Sequence, residues 1–522
     1  MSLVLLSPAV ANDGVNVHQN DGQIELQFDV SEVPESPHMD FGKVTVRWAA
    51  DPTEMCRVDM FYLRGSVYAA RLTVPNQGVY QYDASLPDGT SISGDFNASA
   101  SCNQGRLRVS DDQTHLVTHD GQPFFWLADT AWNGVLRSRI VDWQRYLAHR
   151  SNQRFTAIQF VMTPWRGARE TLSHSAFQLS GSRWVDIDDR AMSEMEQKIR
   201  MINAYGMVAV PVMMWAINQE DPGHALTEAD AIALTRYQKA RFGSLRCAWF
   251  LGGDSKYEDA ARWQRIGRAV FGTDDGWMQQ LATLHPAGLH WTGDDFEDES
   301  WLDFYGYQSG HGEIDDHLRR HLSGPWSGNR TLDRPVINLE PNYEAITAYR
   351  TGTIHGARNV RRAAYWSMML SPTVGTSFGH HSIWVWNDQD GLPPEGHRPV
   401  PVESWRAGLN TNAIESMTRL RNFFETGSWW LLEPVTTFDD DLEDVASTVT
   451  VAATPDLRWI VAYSPVGKTV DLGQISLGDN ANGYACHWVD PRQGTVTIAA
   501  PDDLRFTPPD EQDWLLSLRK LP

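Results

Sequence analysis

From about residue 106 to residue 430 the chain repeats one rhythm, a short apolar run followed by a helical pattern, and few folds can absorb it. The runs are Pro123–Asp129, Phe155–Met162, Met207–Trp215, Cys247–Leu251, Gly288–Thr292, Leu302–Tyr307, Val336–Leu339 and Ala363–Met369. Helical segments such as Asp188–Ala204 and Glu228–Arg241 intervene. A strand buried on both faces is a short continuous apolar run bounded by turn signals. Eight such strands alternating with helices predict an α/β fold, a closed (β/α)8 TIM barrel rather than an open sheet.

The flanks obey a different period. Gln23–Val30 places Ile24, Leu26, Phe28 and Val30 on one face, and Lys43–Trp48 and Val67–Val74 alternate likewise. Turn clusters at Pro75–Gly78 and Pro87–Gly89 separate them, which predicts an N-terminal β-sandwich. Alternation returns after about residue 435 in Thr448–Ala452, Arg458–Tyr463 and Tyr484–Val489, predicting a smaller C-terminal β-sandwich. The expected domains are 1–104, 105–432 and 433–522. A chain of 522 residues fits several domains better than one.

The net charge of −22 disfavours nucleic acid and anionic membrane surfaces, which need a basic face. No apolar run is long enough to span a membrane. The four cysteines show no metal-binding spacing, and no cofactor is expected. Cys56 and Cys102 fall in one β domain and read either as a disulfide or as free buried thiols. The apolar start Met1–Ala11 reads as the tail of an export signal, a first strand or a cloning scar. The first of these favours a secreted or periplasmic protein over a cytoplasmic one. The oligomeric state is left open.

Chemistry concentrates where two runs end in a carboxylate. Trp249–Asp254 closes strand four on Gly252, Gly253 and Asp254, and Pro335–Pro341 closes strand seven on Glu340. A parallel barrel builds its site at the C-terminal ends of its strands. Asp254 and Glu340 would face each other across that rim, as glycosidic bond cleavage by a pair of carboxylic acids requires. The two glycines would let a substrate approach the backbone.

Other strand ends carry residue types suited to sugars. They are Asp129, Trp132, Trp165, Trp215, Tyr305, Tyr307, Gln308, His311, Tyr343, Glu344, His380 and Trp384. Aromatic rings offer flat apolar faces, and 22 tryptophans exceed the usual needs of a core. Asp129 reads equally as a cap for a helix starting near Thr130 or Ala131, Glu344 as a solvated helix residue, and Trp366 as core. His380 and His381 suggest a metal only as a bare pair; in a strand they would point apart, and no third ligand is spaced with them.

These motifs resemble the apiosidase-like glycoside hydrolase barrels. The resemblance rests on Gly105–Ser110, Pro123–Trp132, Phe250–Asp254, Tyr305–His311, Glu340–Glu344 and Phe378–Trp384. It implies that Asp254 is the acid/base and Glu340 the nucleophile of a retaining enzyme. Trp488–Gly494 resembles the small β domain that follows such barrels. The broader barrel clan carries Asn-Glu at the end of strand four, where this chain has Gly253-Asp254. The shorter Asp obliges that loop to sit closer to the sugar. The expected function is a retaining glycoside hydrolase acting on plant or microbial oligo- or polysaccharide, with carbohydrate as its partner. The rival is a non-catalytic carbohydrate-binding protein on a barrel scaffold.

Overall fold

The computed structural model describes all residues except 1–6, 10–14, 21, 102–105, 166–176, 181–183, 325–331, 371–372, 394–399, 436–443 and 476–480. The barrel strands are, in chain order, Trp126–Thr130, Ala157–Val161, Val208–Val212, Trp249–Ser255, Ala282–Pro286, Tyr305–Tyr307, Val336–Asn338 and Thr373–Gly379. They are parallel and ordered five-four-three-two-one-eight-seven-six. The ring closes between strands five and six, where Asp303 N–H donates to the Ala282 carbonyl at 2.9 Å and Thr283 Oγ1 donates to the Phe304 carbonyl at 2.7 Å. The predicted TIM barrel is the fold of this chain.

Two strands lie elsewhere than the sequence suggests. The fifth is Ala282–Pro286 rather than Gly288–Thr292, which follows it as a connecting segment. Its inward positions carry Thr283 and His285, so it lacks a continuous apolar run. The segment Ala363–Met369 is the interior of a helix, Ala357–Leu370, and strand eight follows at Thr373–Gly379. That helix is buried at every position from Val360 to Leu370, because it is packed between strand eight and the C-terminal sheet. A helix buried on all sides loses its polar stripe and reads as a buried strand. Strand eight, in contrast, is mostly small residues, with Val374 and Phe378 the exceptions. A Cβ on Gly375 would lie 2.0 Å from the Trp126 carbonyl oxygen.

The predicted helices start at their caps. Asp188 accepts from Arg190 N–H and Ala191 N–H to begin Asp189–Ala204, and Thr227 accepts from Asp230 N–H to begin Glu228–Phe242.

The N-terminal strands form a five-stranded and a four-stranded antiparallel sheet whose inner faces share one apolar core, from Val15 through Phe28 and Val46 to Phe96. Ser7–Ala9, within the ambiguous N-terminal stretch, pairs as a strand with Val17–Gln19. Cys56 is a free buried thiol, as are Cys247 and Cys486, and Cys102 lies outside the described residues. No described helix is long and apolar enough to cross a membrane.

The C-terminal six-stranded antiparallel sheet is welded to the barrel. Arg361, on the helix Ala357–Leu370, makes a bidentate pair with Asp513 at 2.6 and 2.8 Å, and Tyr463 donates to the same carboxylate at 3.2 Å. Tyr365 stacks on Tyr463 at 4.8 Å. Trp459 is buried against Phe423 and Phe424 of a barrel helix, and Trp488 against Trp514 inside the sheet's own core. These rings therefore hold the domain together rather than face solvent. Arg361→Leu leaves a buried unpaired carboxylate and is expected to cost about 3–5 kcal/mol, read as a lower denaturant midpoint. Adding Asp513→Leu is expected to recover much of that loss.

Candidate active site

Strand four does not run straight into its acid. Its pairing with strand five shifts register between Phe250 and Gly253 and again between Gly253 and Ser255. A bulge of this kind bends a strand and re-aims a side chain. Asp254 sits at φ +53°, in the left-handed region that Asp tolerates better than most residues. The glycines before it serve packing rather than substrate approach. A Cβ on Gly252 would lie 2.7 Å from the Trp263 ring, and one on Gly253 would lie 2.6 Å from Val212 and 2.7 Å from Trp215.

Glu340 follows strand seven and is 7 % exposed. His311 Nε2 lies 2.9 Å from its Oε1, and His285 Nε2 lies 3.5 Å from its Oε2. The Tyr343 hydroxyl, beside the carboxylate, donates to Thr130 Oγ1 at 3.1 Å. His311 Nδ1 faces the Tyr343 backbone N–H at 3.4 Å, which leaves Nε2 to carry the proton and donate to Glu340. Burial alone would raise the Glu340 pKa. His311, then His285 and Tyr343, outweigh it and hold the carboxyl below its ordinary value. Burial drives the His285 pKa down against the pull of Glu340. It drives the Tyr343 pKa well up, with the Glu340 charge adding to the effect.

Asp254 and Glu340 line one cavity of about 290 Å³. Trp132, Trp165, Trp215, Trp384, His311 and Tyr343 share its wall, all six anticipated from strand ends. Trp165 and Trp215 pack at 4.3 Å, Trp132 and Trp215 at 5.4 Å, and Trp384 lies nearly parallel to both Trp165 and His381. Tyr343 can lie across the mouth because Gly379 is bare; a Cβ there would be 2.6 Å from its ring.

Six anticipated residues are not in this cavity. Asp129 points outward from strand one, fully buried, where it pairs with Arg150 and accepts from the Tyr146 hydroxyl at 2.6 Å. It caps no helix. Tyr305 and Tyr307 lie on the face of strand six turned away from the barrel interior. The first donates to Asp333 at 2.7 Å, and the second is hydrogen-bonded with Ser367 and Asn338. Gln308 lines a neighbouring cavity with Trp291 and Phe296. Glu344 accepts from Thr411, the cap of the helix Asn412–Phe424, and burial raises its pKa. His380 is the buried cap of a short helix, its Nδ1 accepting from Ser382 N–H at 3.2 Å; burial, then Arg150 and His381, push its pKa down to about 3.

The structure adds residues that strand-end reading did not supply. His381, rather than His380, faces the cavity. Tyr349 and Thr347 reach it from the loop beyond Glu344. His285 lies beneath Glu340, edge-on to Trp132 at 5.1 Å. It lies on a strand without a continuous apolar run, so no strand-end signal marks it. Among the described residues, no three His, Cys, Asp or Glu side chains converge as a metal set.

Residues 110–431 match the apiosidase-like catalytic-domain model. The chain belongs to this family. It is a glycoside hydrolase, and its substrate is carbohydrate. Solved structures agree on the fold. A glycoside hydrolase family 5 protein from Bacteroides vulgatus ATCC 8482 is 21 % identical with TM-score 0.67, covering 80 % of this chain and 94 % of its own. Another protein from that strain, described as a glycoside hydrolase, is 14 % identical with TM-score 0.67, covering 96 % and 98 %. A third glycoside hydrolase is 20 % identical with TM-score 0.64, covering 80 % and 97 %. No curated protein matches the sequence.

Carbon-13 titration of the Glu340 carboxyl is expected to show a midpoint below that of an ordinary glutamate. His311→Ala removes the leading group that lowers it, so the midpoint should rise. An unchanged midpoint would show that His311 does not hold the charge. Gly253→Ala should perturb Trp215 and lower activity sharply without unfolding the barrel, as read by circular dichroism beside an aryl-glycosidase assay.

Proposed function

We propose that this apiosidase-like enzyme is a retaining glycoside hydrolase in which Glu340 is the nucleophile and Asp254 the general acid/base. One observation carries the reading: the two carboxylates share one aromatic cavity, and one of them is held ionised by three flanking groups. Glu340 attacks the anomeric carbon as the bond to the leaving oxygen breaks. Asp254 gives its proton to that oxygen. Asp254 then takes a proton from water, whose oxygen displaces Glu340 and restores the free enzyme. An anion that is already hydrogen-bonded and out of bulk water needs little reorganisation on the way to the transition state.

The wall chemistry supports an uncharged sugar at the reaction centre. Tryptophan faces suit the apolar side of a sugar ring, and the described lining includes no Lys or Arg to pair with a uronate. The polymer behind it is of plant or microbial origin, and apiosides belong among the compounds to try.

A panel of nitrophenyl glycosides should identify a substrate, and proton NMR of the first-formed product should show retained anomeric configuration. Glu340→Gln and Asp254→Asn should each lower the rate by orders of magnitude with the fold intact. On a substrate with a good leaving group, Asp254→Asn should also lose the basic limb of the pH–rate curve. Wild-type rates in either variant would sink the assignment. Binding without turnover across the whole panel would favour the non-catalytic reading.

A further inference from the structure

The loops after strands six and seven are laced together beside Glu340. Gly310 N–H donates to the Glu340 carbonyl at 3.0 Å, and Tyr349 N–H donates to the His311 carbonyl at 2.8 Å. His355 Nε2 is 3.1 Å from the same His311 carbonyl, which can only accept, so Nε2 carries a proton. His311 is thus gripped by its backbone while its ring reaches Glu340.

Glu313 takes part in this lacing, and the proposed chemistry leaves it unused. It stands just before the helix Asp315–Ser323, where an acid commonly serves the helix N-terminus. Its Oε1 is committed elsewhere. Asn342 Nδ2 donates to it at 2.9 Å, and Arg362 Nη2 donates to it at 2.6 Å. His355 Nδ1 lies 3.5 Å from the same oxygen, a contact that attracts only when the ring is protonated. An ionised carboxylate can only accept, so the Asn342 amide presents its NH2 group. The Glu313 side chain is 14 % exposed and Asn342 is buried, so the loss of either partner is poorly compensated by water. Arg362 lies on the helix Ala357–Leu370, directly after the Arg361 that pairs with Asp513 of the C-terminal sheet.

We propose that Glu313 is a positioning residue that staples the loop carrying His311 to the loop carrying Glu340, through Asn342, and anchors both on the helix Ala357–Leu370 through Arg362. The consequence for catalysis rests on the reading of Glu340 as nucleophile. The His311–Glu340 and Glu313–Asn342 contacts are successive rungs between the same two loops. Only Gly312 separates the first members of each rung, and only Pro341 the second. Neither spacer has slack. Proline has a fixed φ, and a Cβ on Gly312 would lie 1.8 Å from the His317 ring. The outer rung therefore sets the spacing of the inner one.

The test removes the outer rung without leaving a buried charge unpaired. Glu313→Leu with Arg362→Met strips Asn342 of its acceptor and, since the pair has no net charge, leaves the field at Glu340 largely unchanged. Glu313→Gln with Arg362→Met keeps an oxygen for Asn342. Asn342→Leu breaks the same rung from the other side. The primary readout is the carbon-13 titration of the Glu340 carboxyl, which needs no substrate and which a general loss of stability does not move. Its midpoint should rise in Glu313→Leu/Arg362→Met and in Asn342→Leu, by less than in His311→Ala, because the histidine is displaced rather than removed. Amide exchange at Tyr349, which reports its bond to the His311 carbonyl, should quicken about tenfold in both. Glu313→Gln/Arg362→Met should stay close to wild type in both readouts. Adding Asn342→Leu to the Glu313→Leu pair should add nothing further, the signature of one shared rung. The acidic limb of kcat/KM on a nitrophenyl glycoside should move with the midpoint. A midpoint unmoved in folded Glu313→Leu/Arg362→Met overturns the proposal, as does an equal rise in Glu313→Gln/Arg362→Met, and Asn342→Leu decides if the double variants do not fold. A midpoint that moves while the acidic limb stays fixed upholds the staple and refutes Glu340 as nucleophile.

Discussion

A buried carboxylate at the mouth of the barrel is the constraint around which the rest of this structure is arranged. Taking an ion out of water costs several kcal/mol unless charge and hydrogen bonds replace the lost hydration. Glu340 gets that replacement from three strands and the loops beyond them. His285 comes from strand five, His311 from the loop after strand six, and Tyr343 from the loop after strand seven. No pair of neighbouring residues could supply such a set. A closed barrel can, because it brings the ends of distant strands to one rim.

Holding those groups in place requires that their surroundings be filled and fixed. Bare positions at Gly253 and Gly379 admit Trp215 and Tyr343, so glycine serves here to make room for aromatic rings rather than for sugar. The tryptophans of the wall pack on one another at ring distances of 4.3 to 6.4 Å, so the cavity is lined by rings that already support each other. The bulge that turns Asp254 inward is compatible with its short side chain, since it re-aims the backbone as well as the carboxyl.

The flanking domains act on this site from a distance. The helix Ala357–Leu370 lies between strand eight and the C-terminal sheet and carries the Arg361–Asp513 pair. On the other side, Arg71 of the N-terminal sheet bridges Glu25 and Glu196, the latter on a barrel helix. Both contacts are buried charge networks, which tolerate loss of one partner poorly and so lock the domains in one relative arrangement.

The amino-acid sequence by itself determined the barrel, its two β flanks, the carboxylates at the ends of strands four and seven, and most of the aromatic wall. Those features are local: apolar runs, alternation, and an acid or a tryptophan just past a run. What it could not resolve were positions whose meaning depends on what packs against them. The helix around Trp366 looked like a strand because a second sheet covers its outer face, and strand eight was invisible because its neighbours demand small residues. Side-chain direction was the other tertiary decision. His380 and His381 are consecutive, and the onset of the short helix sends the second into the cavity and the first into the core. Asp129, Tyr305 and Tyr307 sit at strand ends as a site residue should, yet they face outward to Arg150, Asp333 and Ser367. Two faces of a barrel strand are equally buried, so apolar pattern cannot tell inside from outside; only closure of the ring, which sets each strand's rotation about its own axis, decides which side chains meet the substrate.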